Sequence, residues 1–299
     1  MPRTRFVDRL APQAEWRLVH RVADASVPAV TQALHRAWWA PDEETTWTLV
    51  AARFAAGDAP GAAYAVDVEA LAQRLQDEVW PLLYRAFLRS GEVTSRLSIE
   101  RRLSKRTTIP PSAFRQTNPQ ATAWASRESA RFVTRVTSAT REAIRQFVVD
   151  AFVDQVPPRQ LAKQLREIIG VTPQQAAALT RQRRQWKVDG LPAPTIQKRL
   201  EFATARALRD RTMNIARTET MAASNAGQVS AWGQARADGL LDPRLVKEWI
   251  TTPDDRLCEQ CEPLDGAQAP LDEEFPGGVQ QPPLHPSCRC AVGLVAGSA

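Results

Sequence analysis

Between Val68 and Phe87 the apolar residues Val68, Leu71, Leu75, Val79, Leu82, Leu83 and Phe87 recur at steps of three and four, the spacing of one helix face. Pro81 stands inside this run and predicts a kink or interruption, because it has no backbone N–H to give and its ring crowds the preceding turn. A second stripe reads Phe132, Val136, Ala139, Ala143, Phe147 and Ala151, widened by Ile144, Val148 and Phe152. Asn118 is a suitable N-cap for that helix and Pro119 suits its first position. Pro157-Pro158 stops it and opens another, with Leu161, Leu165, Ile168 and Ile169 on one face and Gly170 as a C-terminal cap. Thr172-Pro173 begins a third helix, which is expected to end in Arg181-Gln182-Arg183-Arg184. The longest pattern runs from about Ile196 to Arg236 and reads Leu208, Thr212, Ile215, Glu219, Ala222, Ala226, Val229, Gly233. Helices joined by tight turns predict a mainly α chain, a helical bundle with one long helix.

Two details of that long helix carry packing information. Glu219 falls among apolar positions, where a bare carboxylate is expensive to desolvate, so an ion pair is expected with Arg217 or with a basic residue of another helix. Ala222, Ala223, Ala226 and Gly227 are small enough to admit a second element at close range. After Asp242-Pro243 the helical period disappears into a stretch rich in proline and glycine, in which only Lys247–Thr251 reads as a strand. Three blocks follow from these changes. Residues 1–114 form a helical N-terminal region with many tryptophans (Trp16, Trp38, Trp39, Trp47, Trp80). Residues 115–241 form a helical body, and 242–299 a small α+β or irregular module.

Composition narrows the partners. With 43% hydrophobic and 24% charged residues over 299 positions, the chain can bury a core. A formal net charge of +6 favours contact with nucleic acid or an acidic protein surface. The candidate contacts are Arg101, Arg102, Lys105 and Arg106, in a run read as an exposed connection before Pro110-Pro111, and Arg181, Arg183 and Arg184. A solvated basic face is the plainer reading of both runs. No stretch approaches the roughly 20 apolar residues of a membrane span, and the N-terminus has no apolar signal core, so the protein is expected to start in the cytoplasm of the cell that makes it.

All four cysteines lie near the C-terminus: Cys258, Cys261, Cys288 and Cys290. A cytosolic chain rarely keeps structural disulfides, and clustered cysteines in one more often hold a metal. Cys258-Glu259-Gln260-Cys261 puts two sulfurs on one side of a tight turn, and His285-Pro286-Ser287-Cys288-Arg289-Cys290 offers three more donors. Five candidates compete for the four places of a structural zinc site, with Pro286 biasing His285 to an extended backbone. Free thiols, or a disulfide formed later under oxidising conditions, are the alternatives. The segment between the clusters shows no core of its own, so an ion is expected to supply folding energy there.

In order along the chain, the landmarks are Asn118-Pro119, Ile215-Ala216-Arg217-Thr218-Glu219-Thr220, Trp249-Ile250-Thr251-Thr252, Asp254-Asp255-Arg256, the Cys258/Cys261 pair, Leu264-Asp265-Gly266, Phe275, Pro282-Pro283 and the His285–Cys290 run. This series resembles the phage Mu F-like family of minor head, or head morphogenesis, proteins, over about residues 118 to 292. The resemblance implies a virion protein made in few copies, associated with the portal protein and other head proteins at the portal vertex or head interior, and acting in assembly or DNA delivery. Some members carry a toxin domain after the shared module. Here the sequence stops at Ala299, so no such activity is expected. The region before residue 118 looks like the family's variable part.

Two other functions compete with a structural role. A metal-dependent nuclease would need an open metal position and a base, and Asp254 and Asp255 are the available magnesium ligands. A non-enzymatic packaging accessory would hold packaged DNA through the basic runs. No glycine-rich phosphate loop marks a small-molecule cofactor.

Overall fold

The computed structural model describes residues 10–39, 44–102, 114, 119–252 and 258–297. Its helices are α1 (Leu10–Trp39), α2 (Glu44–Ala55), α3 (Ala59–Tyr64), α4 (Val68–Arg74), α5 (Trp80–Arg102), α6 (Pro119–Val153), α7 (Pro158–Ile168), α8 (Pro173–Val188) and α9 (Ala193–Ala237). Three short strands follow, β1 (Leu245–Ile250), β2 (Gln268–Ala269) and β3 (Ala291–Ala296). The fold is mainly α with a small α+β tail, as the sequence pattern predicts. Among the described residues no helix is long and apolar enough to cross a membrane.

The chain packs as two compact units, one of Met1–Val30, Trp80–Arg127 and Asn214–Ala299, the other of Thr31–Val79 and Glu128–Met213. Both gather separated stretches of sequence, whereas the blocks 1–114, 115–241 and 242–299 are consecutive.

In the second unit the proline and glycine punctuation is visible as geometry. A π turn, Leu75–Val79, sits directly ahead of Pro81, so the expected interruption is a single wide turn, after which the chain continues as α5. Thr172 and Gln175 form a reciprocal capping box at the start of α8. That helix runs one turn beyond the predicted stop at Arg184, because the left-handed residue that ends it is Gly190 (φ 74°). Gly170 has φ 95°, and a Cβ there would lie 2.8 Å from the Trp38 ring, so both backbone and space demand glycine. Beside it Arg211 is buried and donates to the carbonyls of Gly170 and Val171, to Thr140 Oγ1 at 3.3 Å and to the Val136 carbonyl at 3.3 Å. Burial pushes its guanidinium down to about 10, so it remains a cation at neutral pH, held by carbonyl dipoles at the end of α7 and along α6. Phe152, expected in the buried stripe of α6, is 49% exposed and meets Phe54 edge-on at 5.8 Å.

In the first unit the small residues of α9 do admit a neighbour. Gly227 faces the carbonyl of Phe87 on α5 so closely that a Cβ would lie 2.1 Å from that oxygen. Ser90 Oγ donates to the Ser224 carbonyl at 2.7 Å across the same contact. Phe87 stacks on Trp124 of α6 at 4.2 Å, and Phe114, Ala223 and Ala226 complete the cluster.

The strand expected at 247–251 is β1, central in an antiparallel sheet of order β2-β1-β3. Its register with β3 runs from Leu245 opposite Ala296 to Ile250 opposite Ala291. On the far edge of β3, Val292 N–H donates to Asn225 Oδ1 (3.1 Å) and Leu294 N–H to Glu15 Oε2 (2.7 Å), so side chains of α9 and α1 take the bonds another strand would make. The expectation that residues between the cysteine clusters lack a core is overturned. Leu264, Ala269, Leu271 and Phe275 are buried with Trp232, Trp249, Val292 and Leu294, and Trp249 meets Phe275 edge-on at 5.3 Å. Lys247 is also fully buried. Its ammonium donates to the Glu273 carbonyl, the Gln280 carbonyl (2.8 Å) and Gln280 Oε1 (2.9 Å), and lies 4.9 Å from the Phe275 ring centre. Burial pushes Lys247 down to about 8, with Asp272, Glu274 and Glu273 pulling upward.

Two substitutions test this packing. Gly227→Ala is expected to push α5 from α9 and destabilise the protein by roughly 1–3 kcal/mol, and thermal unfolding at the parent temperature would contradict the close contact. Lys247→Ala strands the acceptors of the 273–280 loop and is expected to cost at least about 2 kcal/mol, read by denaturant unfolding.

Candidate metal centre

Each donor cluster is set by a local turn. The Cys261 and Glu262 N–H groups both donate to the Cys258 carbonyl at 3.0 Å, which closes the first loop with its sulfurs on one side. In the second, Cys288 N–H donates to the His285 carbonyl (3.1 Å), and Ser287 takes a left-handed backbone (φ 59°), unusual for a residue with a Cβ. That conformation is held from α9: Ser287 N–H donates to Thr218 Oγ1 (2.9 Å), and Asn214 Nδ2 donates to Ser287 Oγ (2.7 Å). Further along the same helix face, Met221 packs on Ala291, and Asn225 Nδ2 donates to the Cys290 carbonyl at 3.4 Å. Asn214, Thr218, Met221 and Asn225 follow the i, i+4, i+7, i+11 spacing of one stripe.

A third support comes from α1. The Arg289 carbonyl, between two of the cysteines, accepts from Trp16 Nε1 (3.2 Å), His20 Nε2 (2.9 Å) and Thr252 Oγ1 (2.9 Å). The Trp16 and His20 rings lie 3.9 Å apart, and burial holds His20 below its usual value despite the bond to Arg289.

All five candidate donors converge. His285 Nε2 lies 3.0 Å from Cys258 Sγ and 3.1 Å from Cys261 Sγ, and the sulfurs of Cys261 and Cys288 are 3.7 Å apart. Cys258, Cys261 and His285 form one group with donor atoms within 4.8 Å of one another, and Cys261, Cys288 and Cys290 form a second, so Cys261 is common to both. Zinc–sulfur bonds of about 2.3 Å in a tetrahedron give sulfur–sulfur edges of about 3.8 Å, which the Cys261–Cys288 distance meets. The sulfur–nitrogen edges should be about 3.6 Å, so an entering ion would spread His285 from the thiols by about half an ångström. His285 Nδ1–H donates to the Pro286 carbonyl at 2.9 Å, which leaves the Nε2 lone pair facing the sulfurs. The cluster can hold a metal ion.

Protons are unevenly shared among the thiols. The Cys290 thiol donates to Cys288, and this bond, with backbone N–H groups of Cys290 and Leu284, outweighs burial and brings Cys288 down to about 5. Cys290 is pushed up in return, both by that bond and by burial. Burial and the neighbouring Cys258 push Cys261 up to about 12. Burial raises Cys258, but hydrogen bonds from Cys261 and Gln260 more than offset it. A divalent cation would displace the remaining protons, because only thiolates ligate strongly.

The other candidates fall elsewhere. Glu219 is half-buried and engaged, as a carboxylate among apolar positions requires, and Arg217 is exposed. Arg183 is buried, ion-paired with Asp154 and 5.6 Å from the Phe147 ring centre, so it ties α8 to the end of α6 and cannot reach DNA. Arg184 bonds Asp154 at 2.9 Å and Asp150 at 3.3 Å, and Arg181 is exposed. Burial of Asp154 is outweighed by these two arginines, which hold its carboxyl below the ordinary value. Arg101 and Arg102 close α5 and belong to that helix rather than to a connection. Lys105, Arg106, Asn118, Asp254 and Asp255 lie outside the described residues. Sequence reasoning missed Glu15, Trp16, His20, Asn214, Thr218 and Asn225 as supports. The i, i+4, i+11 polar positions on α9 were the available signal for the last three.

A family model described as Phage Mu protein F like protein matches residues 142–293, about half of the chain. No curated protein and no solved structure gives a match. The matched span contains both donor clusters and the α9 stripe that grips them, while α1 lies outside it.

Thr218→Val removes the acceptor for Ser287 N–H without touching a donor. It is expected to weaken binding of a thiophilic divalent ion by about tenfold or more, measured by chelator competition. An unchanged affinity would show that α9 does not set the cluster's orientation.

Proposed function

Because the chain belongs to the phage Mu protein F-like family, we propose that it is a minor head protein of a tailed bacteriophage, held at the portal vertex or in the head interior, where it acts in head morphogenesis and in DNA packaging or delivery. Its partners are the portal protein and other head proteins, with packaged DNA as a further contact. It resides in the virion, after assembly in the host cytoplasm. The observation that carries this reading is the join between the two family landmarks: Thr218 of the Ala-Arg-Thr-Glu stretch holds Ser287 of the His285–Cys290 run at 2.9 Å.

The ion is zinc, in a structural role. Three sulfurs and one imidazole suit it better than magnesium or calcium, which take oxygen donors. We assign Cys258, Cys261, His285 and Cys288 as ligands, since Cys261 touches both His285 and Cys288 and so links the two turns. Cys290 then serves as a thiol donor to Cys288. Four protein ligands leave no place for a substrate water, which favours a structural part over a hydrolytic enzyme.

Metal analysis of purified protein is expected to give about one zinc per chain. Chelation should make the segment after about residue 245 protease-sensitive while the helices before it persist, and equal resistance with and without chelator would defeat the zinc assignment. Co-purification with the portal protein of the same phage tests the head assignment separately.

A further inference from the structure

The positive charge of this chain is concentrated in one hairpin. Between Arg181 and Met213 there are nine basic and three acidic residues, an excess of six that equals the formal net charge of +6 for all 299 residues. The rest of the chain is therefore neutral on balance. Three of the nine are used internally: Arg183 and Arg184 on Asp154 and Asp150, and Arg211 on buried carbonyls. The other six, Arg181, Lys187, Lys198, Arg199, Arg206 and Arg209, are exposed.

On α9 these cations form a row. Lys198, Phe202, Arg206 and Arg209 follow i, i+4, i+8, i+11 spacing, so they share one helix face over about 16 Å. Lys198 and Arg209 make no ion pair among the described residues, and Arg206 has only a 4.0 Å contact with Asp210 in which both side chains are more than 70% exposed. Such a contact contributes little and is readily exchanged. Phe202, 70% exposed, stands in the middle of the row. A ring this exposed is a poor solvated face, but it suits a surface where cations take phosphates and the ring meets sugars and base edges.

We propose that this face of α9, marked by Lys198, Phe202, Arg206 and Arg209, binds the phosphate backbone of duplex DNA without reading its sequence. Duplex DNA is the occupant that fits because it offers closely spaced negative charge along a line, which a row of cations on a rigid helix matches. The contact thus lies on α9, and not on the Arg181–Arg184 run that the sequence singled out. It deepens the head-protein reading by locating the DNA contact, yet it is independent of the zinc centre.

The test uses the full chain and a fluorescent mixed-sequence duplex, with anisotropy measured over a range of salt concentrations. The triple variant Lys198→Gln, Arg206→Gln, Arg209→Gln should bind at least about tenfold more weakly, and its log K against log salt slope should be shallower by up to about 2.7, at 0.9 per phosphate. Phe202→Ala should lose affinity with its slope unchanged. All four positions are exposed, so thermal unfolding should match the parent. The proposal is overturned if the parent does not bind duplex at low salt, if the triple variant keeps parental affinity and slope, or if polyglutamate competes as well as unlabelled duplex, which would assign the face to an acidic protein. Co-purification of the triple variant with the portal protein would show the head assignment standing whichever way the DNA result falls.

Discussion

The grip of α9 on the His285–Arg289 turn is the contact on which the tail depends. Ser287 is forced into a backbone region that resists a side chain, and it is held there by a hydrogen bond from Asn214 to its hydroxyl and one from its own N–H to Thr218. With that residue fixed, His285 on one side and Cys288 on the other point back at the Cys258–Cys261 loop. The donor set therefore rests on a helix rather than on loops alone, and a site built on a rigid element is the more reproducible one.

The tail is more than two turns that bring five donors together. Trp249, Phe275, Leu264 and Leu271 bury apolar surface against Trp232 of α9, and Lys247 fills a core position with a cation whose donors are satisfied by three oxygens. A small core orders this segment beside a cluster of donors that can hold a metal ion. The thiols divide their protons unequally, with Cys288 already biased toward thiolate, which lowers the cost of admitting an ion.

Legibility in the sequence followed the nature of the signal. Helix ends were readable at Pro158, Gly170 and Thr172, because those residues act through local backbone chemistry, whereas the basic run drew the end of α8 to Arg184 ahead of Gly190. The five donors were readable from spacing, since two tight turns impose it. The tail's core was hidden, because Leu264, Leu271 and Phe275 are scattered through irregular backbone with no period to betray them. Arg183 was misread for a related reason: composition reports its charge, while its burial is a fact of packing against Asp154 and Phe147. The stripe of Asn214, Thr218 and Asn225 looked like ordinary helical polar residues, and only the arrival of groups from residues 287–292 gives them a task.

Glu15 reaches from α1 to the outer edge of β3, and Trp16 and His20 reach the Arg289 carbonyl, although α1 lies outside the span that matches the family. The amino-terminal helix is thus a working part of the carboxy-terminal module. Domain shuffling that joined this module to a different leading region would leave the Leu294 amide open at the sheet margin, a point where a strand from another copy could pair. A viable chimera must therefore bring its own acceptor to Leu294, and a helix that fits as closely against Gly227 as α5 does.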